Sequence, residues 1–283
     1  MTFTRLCRKF PIMNNIKWYF PVSLAETCSL LEKKNMVLHG GGTNLSGREL
    51  DQVEGIICLR KLELDYVKKD KDMIEMGAMS TYTDVVKELS ALSPQHILVK
   101  TLKNAANTPC RNRITLGGSI AFVPKWSDLI GALLSLDARL ILAGQNEGEV
   151  KLSDYLEKKE LQEQTLIVAV RVKNTPHCSA HYRDVKTVND MPLFTITTLL
   201  ELEANVIKTA RIYIVGTKER ITHLCELESY LLGKSKDEIV DARVQDLVNV
   251  SIVGSRITDP EYMGIKAKIE TTRAIMSALE AAV

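Results

Sequence analysis

Two glycine-bearing strings constrain this chain more than any other feature. The first, Gly40-Gly41-Gly42-Thr43-Asn44-Leu45-Ser46-Gly47, follows Met36-Val37-Leu38-His39. The second, Thr115-Leu116-Gly117-Gly118-Ser119, follows Cys110-Arg111-Asn112-Arg113-Ile114. Backbone stripped of side chains lets N–H groups approach a partner closely, and phosphate is the usual one. For either string alone a purely structural turn is the alternative. Together, each with hydroxyls beside its glycines, they suit a grip on one diphosphate from two sides, provided the fold makes them meet.

The common phosphate motifs do not fit. A dinucleotide fingerprint GxGxxG takes Gly40 and Gly42 but needs a third glycine where Leu45 stands. A P-loop takes Gly42 and Gly47, yet the lysine and hydroxyl that must follow are replaced by Arg48-Glu49. No HExxH or Ser–His–Asp signature competes with a cofactor-binding role.

Composition removes other classes. The chain has 283 residues, a length suited to about two domains, and a formal charge of only +2 from 37 basic and 35 acidic side chains. A dedicated nucleic-acid binder carries a concentrated basic surplus, so that class is set aside. No apolar run approaches the roughly 18 residues that a membrane span needs. The first residues lack the apolar core of a signal peptide, and a cytoplasmic location is expected. The six cysteines contain no CxxC pair and no zinc or iron–sulfur spacing, so no metal site is expected. His177-Cys178-Ser179-Ala180-His181, the one cluster of ligand types, reads as a polar loop ahead of a strand.

Local patterns supply the elements. Ser23 with Glu26 reads as a capping box opening a helix, and Met36 to Leu38 as a buried strand running into the glycines. Gly55 to Leu59 and Met73 to Met76 read as strands, with Lys68 to Asp72 as the turn between them. Thr81 to Leu92 is amphipathic, Ser127-Asp128 opens another helix, and Arg139 to Leu142 reads as a strand. Beyond Thr165 to Val172 the pattern changes. Phe194 to Leu202 and Ala210 to Val215 read as a hairpin, followed by helices over Lys218 to Leu232, Lys236 to Val248 and from Pro260 onward. The expected organisation is an extension over 1–15, a cofactor domain over 16–175 and an α+β domain over 176–283.

At these residues the chain resembles the FAD-binding subunits of the molybdenum hydroxylases, the group of xanthine dehydrogenase and the medium subunit of carbon monoxide dehydrogenase. Gly40 to Leu45 is similar to that family's AGGTDL loop, and Cys110 to Ala121 to its IRNxxTIGGNIA segment. Gly77-Ala78, Pro124 and Ser127-Asp128-Leu129 also match in order. The resemblance implies an α+β, VAO/PCMH-type fold of two subdomains around an extended FAD, followed by a C-terminal domain with a three-stranded sheet and helices. It implies a cofactor site of Leu38, His39, Gly40, Gly41, Gly42, Thr43, Asn44 and Leu45 with Thr115, Leu116, Gly117, Gly118 and Ser119, the glycine segments holding the diphosphate. Asp128 would lie near the ribityl or isoalloxazine part and Leu166 against the cofactor, while Arg183 stands where the family often has lysine.

Some positions depart from the family: His39-Gly40 for Leu-Ala, Asn44 for Asp, Cys110 for Ile, Ser119 for Asn, and Met263 where arginine would follow Tyr262. The function implied is a flavin-dependent oxidoreductase subunit with no catalytic acid or base of its own. It would take electrons from an iron–sulfur subunit, itself fed by a molybdopterin subunit, and pass them to NAD+ or another acceptor. A stand-alone flavin oxidoreductase of the same fold, or an assembly subunit whose FAD site has decayed, are the alternatives.

Overall fold

The computed structural model describes residues 16–45, 50, 52–70, 72–187, 190–253 and 259–281. The extension expected over 1–15, Ser46 and Gly47 of the first string, and the Arg48-Glu49 pair that follows it lie outside them. The chain begins with β1 (Lys17–Tyr19), α1 (Leu24–Leu31), β2 (Met36–His39) and β3 (Gly55–Cys58), which form a parallel sheet ordered β1-β3-β2. Ser23 caps α1 by accepting from the Glu26 N–H, while the Glu26 carboxylate reaches back to the Val22 N–H rather than to Ser23. Half of the expected capping box is therefore formed, displaced by one residue.

Next come β4 (Val67–Lys69), β5 (Met73–Gly77), α2 (Tyr82–Leu92), α3 (Ile97–Leu102), α4 (Thr108–Arg111), α5 (Leu116–Phe122) and α6 (Asp128–Ser135). They are followed by β6 (Arg139–Gly144), β7 (Gly148–Lys151), α7 (Leu152–Glu157) and β8 (Thr165–Lys173). These strands make an antiparallel sheet ordered β4-β5-β8-β6-β7. Lys68 and Lys69, read as turn residues, belong to its edge strand, where charged side chains are tolerated because one face and one edge meet water. Thr81 and Asp84 form a full capping box at α2, each accepting from the other's backbone N–H.

The remaining elements are β9 (Cys178–Arg183), β10 (Thr195–Glu203), β11 (Val206–Thr217), β12 (Arg220–His223), α8 (Cys225–Leu231), α9 (Asp241–Leu247) and α10 (Pro260–Glu280). The hairpin between β10 and β11 turns on Ala204 and Asn205, both at positive φ (51° and 64°), as a two-residue turn matched to strand twist requires. The sheet is ordered β12-β11-β10-β9, so it has four strands rather than three. The extra strand comes from Arg220–His223, inside the segment read as a helix; pairing of Tyr213 with His223 and stacking of their rings hold it extended. A short polar run shows this preference only when a partner edge is present.

Alternation along β10 decides how the parts lock together. Ile196 and Leu200 face one side and join a core with Met263, Ala267 and Ile275 of α10. Thr195, Thr197 and Leu199 face the other, where α6 lies across β10 and β11. Gly131 makes that approach possible, because a Cβ there would stand 2.8 Å from Thr197 Oγ1. Helix α6, with Leu129, Ile130 and Leu133 fully buried, therefore serves both halves of the chain. Among the described residues no helix is long and apolar enough to cross a membrane.

Candidate functional site

The two glycine strings meet. Arg113, two residues before Thr115, directs Nε and one terminal nitrogen at the Gly41 carbonyl, at 3.1 and 3.0 Å. Any Cβ on Gly41 would overlap the Arg113 carbonyl, and one on Gly40 would stand 2.9 Å from Thr115 Oγ1. Gly42 sits at φ +74°, a conformation that favours glycine, with the His39 ring against it. Gly41 is thus required by the approach of the Arg113 backbone and Gly40 by the Thr115 side chain, contacts that no spacing in the chain reveals.

The second string differs from the expected row of exposed N–H groups. It is the start of α5, with Thr115 as its cap. The Leu116 N–H donates to Ser80 O, Gly117 to Ala78 O, Gly118 to Thr115 Oγ1 and Ser119 to Thr115 O. Gly117 packs so closely on Ala78 that a Cβ would stand 2.8 Å from the alanine methyl. These amides are satisfied within the protein. This segment faces the first string through the Thr115 hydroxyl and is anchored through Ser119, whose Oγ accepts from the Tyr82 hydroxyl at 3.0 Å. Burial, assisted by Asp128 nearby, pushes the Tyr82 phenol far up, so it stays protonated and donates.

Asp128, in the first turn of α6, is buried and accepts from Arg183 Nε at 2.6 Å, with His181 Nε2 at 3.4 Å. The register explains the meeting: Thr197 pairs with His181 and Thr195 with Arg183, so both side chains rise on the face that α6 covers. His181 is held from its other side by Thr197 Oγ1, 3.1 Å from Nδ1. Two residues singled out separately in the sequence, 55 positions apart, form one buried ion pair. Leu166 lies in the strand β8. Its side chain is 1% exposed in a core with Leu30, Ile57 and Leu59, so it packs against protein. Leu38 flanks the same core, and Leu45 ends the described part of the first string.

The site's charge suits an anion. No carboxylate among the described residues lies within ion-pair distance of Arg113. Burial lowers the pKa of His39, and the charges of Arg113 and Arg60 push it the same way against an opposing backbone hydrogen bond. Its Nδ1 is buried without a partner, while Trp18 meets the ring edge-on at 5.2 Å. One bare glycine loop held against the start of α5, a guanidinium with no carboxylate partner among the described residues and an unpaired buried nitrogen together fit a polyphosphate cofactor. Arg113, Tyr82 and His181 were not among the expected site residues. Arg113 was visible in the Cys110-Arg111-Asn112-Arg113 run, whereas nothing local distinguishes Tyr82 from other apolar-face residues of α2.

The His177 to His181 segment is not a loop: residues 178–183 are β9. His177 is drawn away from His181 to His96, their rings 5.1 Å apart and edge to face. His96 caps α3 by accepting from the Leu98 N–H at Nδ1, which leaves its buried Nε2 unpartnered. Burial, then the neighbouring His177, drives the His96 pKa down to about 4. A depressed pKa means that stability is full above the free-histidine value of about 6.5 and is lost as pH falls toward 4. Urea denaturation at about pH 4.5 against pH 7.5 should show about 2–3 kcal/mol of loss from this residue. His96→Asn, which keeps a capping acceptor but does not titrate, should remove that share of the acid sensitivity. An unchanged difference between the two pH values would overturn the assignment.

Comparison with known proteins agrees with this geometry. Residues 14–174 match the family described as FAD binding domain in molybdopterin dehydrogenase. The nicotinate dehydrogenase FAD-subunit of Eubacterium barkeri is 28% identical over 153 residues, covering 51% of this chain and 52% of that protein. The glyceraldehyde dehydrogenase medium chain of Sulfolobus acidocaldarius is 24% identical over 203 residues, 70% of each. Thus the chain matches about half the length of the first relative and over two thirds of the second. In structure, a chain of quinoline 2-oxidoreductase from Pseudomonas putida 86 superimposes with a TM-score of 0.85 at 20% identity, covering 95% of this chain and 98% of that one. The α+β architecture expected from the resemblance is therefore the observed one. With the family pattern spanning the strands, loops and helices that build the paired glycine site, this chain belongs to the FAD-binding family of the molybdopterin dehydrogenases.

Proposed function

We propose that this chain is the flavin subunit of a multi-subunit molybdenum hydroxylase, accepting electrons from the iron–sulfur clusters of a partner subunit and passing them to NAD+ or another acceptor. The observation that carries the reading is the contact of the two glycine strings through Arg113, in a chain of this family. When bound, FAD supplies the redox chemistry, taking up and releasing electrons. The protein's part is placement. Gly40 to Asn44 provide bare backbone, Arg113 and the Thr115 hydroxyl stand beside it, and Arg113 offers positive charge to the diphosphate. Tyr82 orients Ser119, and the Asp128–Arg183 pair fixes a charged wall where α6 meets β9.

Two buried cores support a division of the chain near residue 175 into a cofactor domain and a C-terminal domain: one is drawn from residues before 175 with Leu199 added where α6 meets β10, the other wholly from residues after it. A cytoplasmic setting and separate iron–sulfur and molybdopterin subunits belong to the same proposal. The test is the visible absorption of the purified chain and the proteins that purify with it. Oxidised-flavin bands with about one FAD per chain, in a complex containing iron–sulfur and molybdopterin subunits, are the expected result. Flavin with no such partners would favour a stand-alone oxidoreductase. Absence of flavin after incubation with FAD would point to an assembly subunit.

A further inference from the structure

A second chemical constellation lies in the C-terminal domain. Exposed Cys225, the first residue of α8, places Sγ 3.1 Å from His223 Nδ1. The opposite ring nitrogen, His223 Nε2, lies 2.7 Å from Oε1 of Glu228, which is only 7% exposed. Glu228 Oε1 also accepts from the Ile212 N–H at 2.6 Å, and Arg211 stands 3.7 Å from its other oxygen. A carboxylate so placed can only accept, so Nε2 carries the imidazole proton and Nδ1 presents its lone pair to the thiol. Nucleophile, base and orienting carboxylate are in the sequence required to activate sulfur.

The imidazole is held in that role. Tyr213 stacks on it at 4.3 Å and 12°. Charged groups around it are Glu228 and Arg211, Asp137 beside Tyr213, Glu226 next along α8, and Glu219. His223 also lines a mostly polar hollow of about 430 Å³ with Glu219, Ile221, Thr222, Asn249 and Ser251. None of these residues belongs to the glycine site, and the inference is independent of the flavin reading.

We propose that Cys225, His223 and Glu228 form a nucleophilic thiol site that undergoes exchange with small polar disulfides, so that Cys225 is a mixed-disulfide modification site of this protein. The thiol proton passes from Sγ to His223 Nδ1. The thiolate attacks one sulfur of the disulfide, the new Cys225 S–S bond forms as the old S–S bond breaks, and the departing thiolate takes the proton from His223. Cys225 is oxidised and the released half of the disulfide is reduced, with no further oxidant.

The test uses the full chain and 2-hydroxyethyl disulfide, with modification located by peptide mass and its rate followed from about pH 5 to 9. A thiol with a base on it exchanges at mildly acidic pH, where an unassisted cysteine is almost wholly protonated and reacts slowly. The expected result is a reaction at Cys225 near pH 6.5 about fivefold faster than that of glutathione under the same conditions, and about fivefold slower in a folded His223→Asn variant than in the wild type. Should that variant fail to fold, the comparison with glutathione decides. A wild-type rate no faster than glutathione's, or a folded His223→Asn variant with an unchanged rate, overturns the proposal.

Discussion

Gly41→Ala is expected to strip the chain of flavin, leaving less than a tenth of the wild-type FAD per polypeptide after purification. The added methyl would occupy the place of the Arg113 carbonyl oxygen, a backbone atom that cannot rotate aside. Either the loops separate or the Arg113 segment moves. Both break the two hydrogen bonds from Arg113 to the Gly41 carbonyl, each a charge-assisted bond of about 1.5–3 kcal/mol. The anion site exists only while the strings touch, so binding falls by far more than the volume of one methyl suggests. Gly264→Ala is the matched control. It lies in α10, where a Cβ would meet only the Val250 carbonyl at 3.7 Å, and should retain flavin and gain up to about 1 kcal/mol of stability. Equal flavin content in the Gly41→Ala and wild-type proteins would refute the paired-loop site.

Asp128→Ala should cost about 3–5 kcal/mol of folding stability, the usual penalty for removing one partner of a buried ion pair. It leaves the Arg183 guanidinium, with its side chain 11% exposed, without the carboxylate that accepts from it. The damage reaches beyond the pair, because Asp128 opens α6, the helix shared by both halves of the chain. Asp128→Asn keeps the shape and a hydrogen-bond acceptor, so its cost should be smaller. Combining Asp128→Ala with Arg183→Leu should recover part of the loss, since the stranded charge is then gone. Urea denaturation of the four proteins measures this. A double variant less stable than Asp128→Ala alone would mean that the Asp190 carbonyl, which accepts from the Arg183 guanidinium at 3.2 Å, rather than Asp128, is what makes Arg183 stabilising.

Much of this was legible from residues alone, for physical reasons that differ by element. The β10–β11 hairpin, the span of α2 and the opening of α6 depend on side-chain periods and hydrogen bonds spanning a few residues, and all were visible; the Thr81–Asp84 box at the start of α2 was not read. Arg220–His223 was misread because a four-residue polar segment becomes a strand only when β11 offers it an edge. That the Leu166 side chain packs with Leu30, Ile57 and Leu59 could not be read from the sequence, because those partners lie more than 100 residues away. The second glycine string was recognised as important, but its amide partners, Ser80 and Ala78, come from a different part of the chain.

By itself the sequence determined the inventory of this protein: two bare glycine strings, their flanking hydroxyls, a helix opened by Asp128, and a resemblance that implied FAD. Only the tertiary structure decided which of these meet. Arg113 closes on Gly41 across 72 residues, and Arg183 reaches Asp128 across 55. Neither contact is encoded near either partner. The second follows from the register of β9 on β10 beneath α6, and the first from the close approach of the loop after β2 to the segment before α5; both depend on distant parts of the chain packing together.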